Sequence, residues 1–363
     1  MNNKLSILQI NSSKTWAGGE THLKDLIKGL QKRGHNIFLA VREQIAENFK
    51  DMNIDLRVLP LKNSIDFYSV YKLTKIIKNN NIDIIHVHNG KDYWLAILAK
   101  YFSKKVKVVA TRHILKPLGN SLLHKKMFEK IDQFIAVSKQ VKDTMVKENS
   151  IESKKIEVIY NGMDLSNYNN IDSEYLYSEL GIKKEDFVIG SVGTLCNRKN
   201  QLLIIDIAKE IELENVKFII VGEDFTEKKL NKDNLLNKID ANGFNNRIIL
   251  AGYRSDVPEL MDFFDLLVVP SKREAFGLVA IESMAAGTPV IANKVDGLKE
   301  VIHNNSGILI NDNNIKEYKK SILKLYNNKN IAEKYIENGF ERVNNNFSLN
   351  KMVNSLEEIY FEL

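Results

Sequence analysis

The chain holds a single cysteine, Cys196. One thiol cannot close an internal disulfide or build a cysteine-based metal cluster, which fits a reducing compartment. No window approaches the roughly 20 apolar residues that a membrane-spanning helix needs. The opening stretch, MNNKLSILQINSS, carries one lysine and an apolar run far shorter than the core of a secretory signal. A cytoplasmic location is therefore expected. No short-period repeat is visible, and Asn-rich stretches such as Asn79, Asn80 and Asn81 are expected at surface tips rather than in long disordered tracts.

What is present is an ordinary globular composition spread over 363 residues, 44% hydrophobic and 27% charged. That length exceeds what one hydrophobic core organises, so two domains are expected, with a cleft between them. The net charge of +6 hides an asymmetry: residues 1–165 hold 28 Lys and Arg against 16 Asp and Glu, whereas 166–363 hold 24 against 30. A basic first half, with Lys100, Lys104, Lys105, Lys107, Lys125 and Lys126, suits anionic lipid headgroups or a phosphorylated acceptor. A solvated basic face without a partner explains the same charges equally well. No nucleic-acid partner is expected.

Short apolar runs alternate with longer segments of helical period, the pattern of parallel strands joined by crossover helices. In the first half the strand candidates lie at 5–10, 36–41, 54–59, 82–88, 106–111, 133–138 and 156–160. The second half restarts the pattern at 187–193, 216–222, 247–252, 265–271, 289–293 and 307–310. Between the first two strands, Leu23, Leu26, Ile27 and Leu30 fall at i, i+3, i+4 and i+7 of a helix over roughly 19–33 that stops at Gly34. A segment rich in Asn, Asp and Ser, without a strand pattern, places the linker within 161–186. The spacing predicts final amphipathic helices near 314–326, 330–343 and 348–362.

The strongest local signal is REAFGLVAIESMAAGTPVIA, 273–292. It follows the strand that ends at Pro270 and Ser271, so Glu274, Phe276 and Gly277 lie in a loop at a strand's C-terminal end, where open α/β sheets bind ligands. Gly277 and Leu278 then open a helix, whose unpaired N–H groups and positive dipole end suit a diphosphate. Glu282, one turn in, is placed to reach a diol such as a ribose. Alone, two glutamates eight residues apart are weak evidence; the small residues Ala285, Ala286 and Gly287 read as close helix–strand packing. In SVGTLCNRKN, 191–200, Arg198 and Lys199 occupy the loop after the second domain's first strand, where two cations can neutralise a leaving diphosphate. His86 and His88 flank Val87 at a strand end; the deeper His86 reads as a satisfied core histidine. His113, with Arg112, lies at the end of the next strand. Gly18 and Gly19 let backbone approach a bulky ligand, and Glu20 suits the helix dipole.

The ordered set of these motifs resembles the retaining family-4 glycosyltransferases, which have the GT-B fold: α/β, two facing Rossmann-like doubly wound parallel-sheet domains with an interdomain cleft. The resemblance covers most of the chain, through AGGETHLKDLIKGLQKRGHNI, IIHVHN at 84–89, IAVSK at 135–139, YNGMD at 160–164, GTLCNRKN at 193–200, IIVGE at 219–223 and EAFGLVAIE. It implies an acceptor-side domain at 1–165, onto which a helix at 348–363 packs back, and a nucleotide-sugar domain at 166–347. It implies Glu274 near the donor sugar, Glu282 on the ribose, Lys199 on the phosphates and His88 beside the donor sugar. Gly18, Gly19, Phe276, Gly277 and Leu278 then belong to the donor site, with Arg112, His113 and Thr194 as outer candidates. Where the family commonly has an arginine after the glycine this chain has Thr194, and Arg198 is expected to supply that charge.

The implied reaction is retaining transfer of a sugar from a nucleotide diphosphate donor to a carbohydrate or lipid-linked acceptor in cell-envelope polysaccharide or lipopolysaccharide assembly, at most peripheral to the membrane's inner face. Same-face attack within an ion pair, the leaving phosphate taking the acceptor's proton, is how retention in this family is usually explained. No DxD-like pair is placed to imply a metal, so neither metal nor cofactor is expected. Two readings compete: a GT-B-type nucleotide-sugar epimerase or hydrolase, and a non-catalytic nucleotide-sugar-binding subunit, which Thr194 favours.

Overall fold

The computed structural model describes residues 4–103, 105–303 and 305–363; Lys104 of the basic half and the first three residues of the opening stretch lie outside them. The chain divides into two compact units, residues 1–163 with 349–363, and residues 164–348.

The first unit is built on a seven-stranded sheet: β1 (Ser6–Asn11), β2 (Asn36–Val41), β3 (Asp55–Val58), β4 (Ile84–Val87), β5 (Lys107–Arg112), β6 (Gln133–Ala136) and β7 (Ile156–Val158), in the order β3-β2-β1-β4-β5-β6-β7. Every pairing is parallel. The strands are near-continuous Ile, Val, Leu and Ala because helices cover both faces of such a sheet. The apolar stripe read at Leu23, Leu26, Ile27 and Leu30 is fully buried on the helix Gly18–Lys32. That helix ends as expected: Gly34 takes φ +88°, Gly34 N–H donates to Gln31 O and His35 N–H to Leu30 O, so the last carbonyls are satisfied. The final helix, Leu349–Glu362, inserts Leu349, Met352, Val353, Leu356 and Tyr360 into the same core. Each such side chain taken fully from water contributes roughly 1.5–3 kcal/mol.

The second unit repeats the plan with β8 (Phe187–Val192), β9 (Val216–Val221), β10 (Ile248–Gly252), β11 (Leu266–Val269), β12 (Val290–Asn293) and β13 (Ile308–Ile310), all parallel, ordered β10-β9-β8-β11-β12-β13. All thirteen strands coincide with the segments read from periodicity, eleven lying wholly inside them while β1 and β5 each run one residue further, to Asn11 and Arg112. The segment 161–186 carries no strand, yet it is not featureless. Leu165–Tyr168 forms a 3-10 turn and Tyr175–Leu180 a short helix that buries Leu176 and stops at Gly181, φ +66°.

In both units the first strand has a neighbour on each side that continues the chain in opposite directions: β1 lies between β2 and β4, and β8 between β9 and β11. At such a switch point the flanking loops diverge and leave a crevice outside the strands' C-terminal ends. Close backbone approach holds the second crevice's floor. Gly222 takes φ +144°, and a Cβ there would stand 2.0 Å from the carbonyl oxygen of Gly193. Gly222→Ala should therefore cost roughly 3 kcal/mol or more. Gly243→Ala, at φ +66° with nothing within 4 Å, should cost about 1 kcal/mol, the backbone strain alone. Urea unfolding of the two variants checks the contrast; equal losses would show that the β8 and β9 loops do not need that approach.

Candidate active site

In the second unit the loops after β8 and β11 meet at the switch point. Lys199 Nζ lies 2.5 Å from Glu274 Oε2, and Arg198 Nη1 lies 3.8 Å from the same oxygen. Ser271 Oγ–H donates to that oxygen at 3.3 Å. Glu274 is 9% exposed. Burial alone would raise its carboxyl, but Lys199 and then Arg198 outweigh this and hold it below the ordinary value. Two short-range devices fix the loop. Asp296, after β12, accepts from the Glu274 N–H at 3.1 Å and from Arg273 Nε at 2.7 Å. Gly297 N–H donates to Glu274 O, and a Cβ on Gly297 would stand 2.4 Å from Ala275 O. Sequence reading missed Asp296 and Ser271, because nothing in VDG or PSK separates them from turn residues.

Gly277 caps the helix Leu278–Ala285 at φ +111°, a conformation that favours glycine, and a Cβ there would also meet Leu298 at 2.6 Å. Three residues after Glu274, the helix thus presents its N-terminus beside the ion pair. Phe276 is buried with its ring against Phe347, centroids 5.6 Å apart. It can therefore offer a ligand its backbone rather than its ring. Glu282 is half-buried one turn into the helix. Thr194, half-buried, has its carbonyl bonded by Gln201 Nε2 at 3.0 Å. Arg198 lies on the same loop as Lys199, with its side chain half-exposed.

The first unit brings together a second set. His88 follows β4, His113 follows β5, and His22 sits on the helix Gly18–Lys32. His88 Nε2–H donates to Gln9 Oε1 at 2.8 Å, and His88 Nδ1 faces His113 Nε2 at 3.2 Å. The His22 ring stands edge-on to His113 with centroids 5.0 Å apart. Burial is the leading cause that lowers these groups, His22 to about 4 and His88 and His113 well below 6.5. His86 is the satisfied core residue that its position suggested: its two ring nitrogens lie 2.6 Å from Tyr360 OH and 2.6 Å from Thr111 Oγ1. Arg112 is buried, bonded to Lys116 O, with Nη1 3.6 Å from where a Gly90 Cβ would stand. Gly18 and Gly19 open the helix, and a Cβ on Gly19 would meet nothing within 4 Å. Packing within the unit therefore does not require glycine at Gly19. Glu20 is buried and reaches back to accept from Ala17 N–H at 3.1 Å and from Asn11 Nδ2 at 3.1 Å. The missed member is His22. Its signal was its place four residues before Leu26, on the helix's apolar stripe, where a polar residue needs a reason.

Asp92 is also buried here, Oδ2 accepting from Ser12 N–H at 3.1 Å while Oδ1 has no partner. Burial pushes its carboxyl up to about 6 against the Ser12 bonds. Between 3.8 and about 6 the folded state binds more protons than the unfolded one, so stability falls as pH rises through that window. The rise corresponds to roughly 3 kcal/mol of destabilisation once the carboxyl is ionised. Asp92→Asn keeps an oxygen for Ser12 and removes the charge. Urea unfolding should find it more stable than wild type at pH 8, with the difference shrinking as pH falls toward 4; a pH-independent difference contradicts the assignment.

With this geometry in place, comparison with known proteins identifies the family. The family model for glycosyl transferases group 1 matches residues 173–342, and that for Glycosyltransferase Family 4 matches residues 16–167. An uncharacterized glycosyltransferase of Methanocaldococcus jannaschii is 32% identical over 81% of this chain and 80% of its own. The Escherichia coli UDP-Gal:alpha-D-GlcNAc-diphosphoundecaprenol alpha-1,3-galactosyltransferase is 28% identical over 82% of this chain and 80% of its own. The Anabaena HepE structure in complex with UDP-glucose matches with a TM-score of 0.85 at 23% identity, covering 99% of this chain and 100% of its own. That likeness shows the fold, GT-B with two Rossmann-like domains. The chain belongs to the group 1, family-4 glycosyltransferases and is a glycosyltransferase.

Proposed function

We propose that the chain is a retaining glycosyltransferase that moves a sugar from a nucleotide diphosphate donor to the hydroxyl of a carbohydrate or lipid-linked acceptor, in cell-envelope polysaccharide or lipopolysaccharide assembly. The observation that carries the reading is the ion pair of Lys199 and Glu274, 2.5 Å apart at the second sheet's switch point. An ammonium has three donors and Glu274 occupies one, so Lys199 can hold the carboxylate and still donate to phosphate oxygens. The N-terminus of Leu278–Ala285 and the half-exposed Arg198 add positive potential. Charge grows on the diphosphate as the glycosidic bond breaks, and fixed cations already in position stabilise it without reorganisation. The donor chemistry therefore needs no metal.

Glu274, kept ionised by its two cations, sits where it can accept from hydroxyls of the donor sugar and stabilise positive charge at its anomeric carbon. Glu282 takes the ribose diol. Phe276, Gly277 and Leu278 contribute backbone to the diphosphate, and in the first unit Gly18 and Gly19 leave the start of their helix open to a bulky ligand. His88, in the first unit, organises the acceptor. Among relatives, the Escherichia coli enzyme's name gives a UDP-galactose donor and a diphosphoundecaprenol-linked acceptor, and the Anabaena structure holds UDP-glucose. These support the donor and acceptor classes. The positive excess of residues 1–165 supports a cytoplasmic protein with peripheral contact to anionic lipid. Among the described residues no helix is long and apolar enough to cross a membrane.

Glu274→Gln and Lys199→Ala should each lower kcat by roughly 100- to 1000-fold with a competent donor and acceptor. Lys199→Ala should also cost about 3 kcal/mol of stability, because it strips a buried carboxylate of its nearest partner. Turnover assays, urea unfolding and NMR of the product's anomeric configuration check this. Undiminished transfer by folded variants, or an inverted product, contradicts the reading. Sugar released or altered without acceptor would favour a hydrolase or epimerase.

A further inference from the structure

Among the described residues one cluster is not needed for the donor chemistry: His22, His88 and His113 of the first unit. Their ring nitrogens, one from each residue, lie within 4.8 Å of one another. We propose that these three imidazoles form a binding site for a divalent transition-metal ion of the zinc, cobalt or nickel kind, leaving a coordination position for water or a substrate oxygen.

The geometry carries this in three steps. Tetrahedral zinc with metal–nitrogen bonds near 2.05 Å sets its ligand atoms about 3.4 Å apart. His88 Nδ1 and His113 Nε2 are already 3.2 Å apart, and a shift on the order of 1 Å at the third imidazole closes the set. Second, His88 is oriented as a metal-bound histidine is. Its Nε2–H is held by a carboxamide oxygen, Gln9 Oε1 at 2.8 Å, which turns the lone pair of Nδ1 toward the cluster. Third, the rings alone do not satisfy one another. A hydrogen bond from His113 Nε2–H to His88 Nδ1 accounts for two of the three. It leaves His22, 4% exposed, with Nδ1 buried and without a partner. An orphaned buried nitrogen costs roughly 1–3 kcal/mol, and a metal ion would resolve that cost as another hydrogen bond among the rings cannot.

The three ligands also stand on three elements that the core fixes independently. His22 follows the capped first turn of the helix Gly18–Lys32, whose Leu23, Leu26 and Leu30 are fully buried. His88 and His113 follow the adjacent parallel strands β4 and β5. A site held this way is preorganised and does not depend on one mobile loop. Imidazole nitrogens select borderline first-row ions over magnesium or calcium, which prefer oxygen. The proposal is independent of sugar transfer, because its readout is metal binding alone.

The test uses tag-free, full-length protein stripped with EDTA and titrated with Co2+. One equivalent should produce the visible ligand-field band of low-coordinate, nitrogen-bound cobalt, and Zn2+ should displace it. His22→Gln, His88→Gln and His113→Gln should each weaken Co2+ binding at least 10-fold, while His303→Gln, on an exposed residue, leaves it unchanged. Far-UV circular dichroism establishes that the variants fold. Should one unfold, the wild-type protein still decides: Zn2+ should raise its melting temperature and EDTA reverse the rise. Absence of the band at millimolar Co2+, or a band unaltered in all three histidine variants, overturns the proposal.

Discussion

The buried carboxylate of Glu274 and the ammonium of Lys199 are the constraint around which the second unit's crevice is organised. A carboxylate 9% exposed is costly in a sheet's crevice unless a cation and hydrogen-bond donors accompany it. The fold provides all of them from separate loops. Lys199 and Arg198 come from the loop after β8, Ser271 from the end of β11, and Asp296 holds the Glu274 backbone from the loop after β12. Close approaches of Gly222 to Gly193 and of Gly297 to Ala275 bring the loops near enough for those bonds. Local glycine geometry thus serves an electrostatic arrangement at the strands' C-terminal ends.

Both units use one topological device and finish it differently. In each, chain direction diverges beside the first strand, opening a crevice at β1/β4 and at β8/β11. The first unit fills its crevice with imidazoles that burial keeps uncharged and with the buried Glu20 that caps its first helix. The second fills its own with a matched pair of opposite charges and a helix opened by a positive-φ glycine. Neutral, polarisable groups suit hydroxyls or metal ions; fixed cations suit a diphosphate. The contrast in charge between residues 1–165 and 166–363 is a surface property and does not predict these interiors.

Much of the fold was legible in the sequence. Parallel strands buried on both faces are continuous apolar runs, and that pattern located all thirteen, with the stripe of Leu23, Leu26, Ile27 and Leu30 marking the first helix. The short helix Tyr175–Leu180 escaped because two turns give too little period for detection, although Gly181 marks its end. Glu274 and Lys199, carried by dense motifs, were singled out from the sequence, and the structure brings their side chains together. Those whose meaning depends on non-local contacts were not. Asp296 looks like any turn aspartate, and Asp92 gives no sign that it is fully buried with one oxygen unpaired. His22 meets His88 and His113 only through the order of strands in the sheet. Phe276, read as a donor-site residue, has its ring packed on Phe347, a contact 71 positions away that no local pattern shows.

The most direct test of the central claim is a crystal structure of the chain with an intact nucleotide diphosphate sugar. The account predicts the diphosphate at the N-terminus of Leu278–Ala285, with Lys199 Nζ within hydrogen-bond distance of a phosphate oxygen and Glu274 against the sugar. A donor seated elsewhere, or bound there with Lys199 and Glu274 both out of reach, would contradict it.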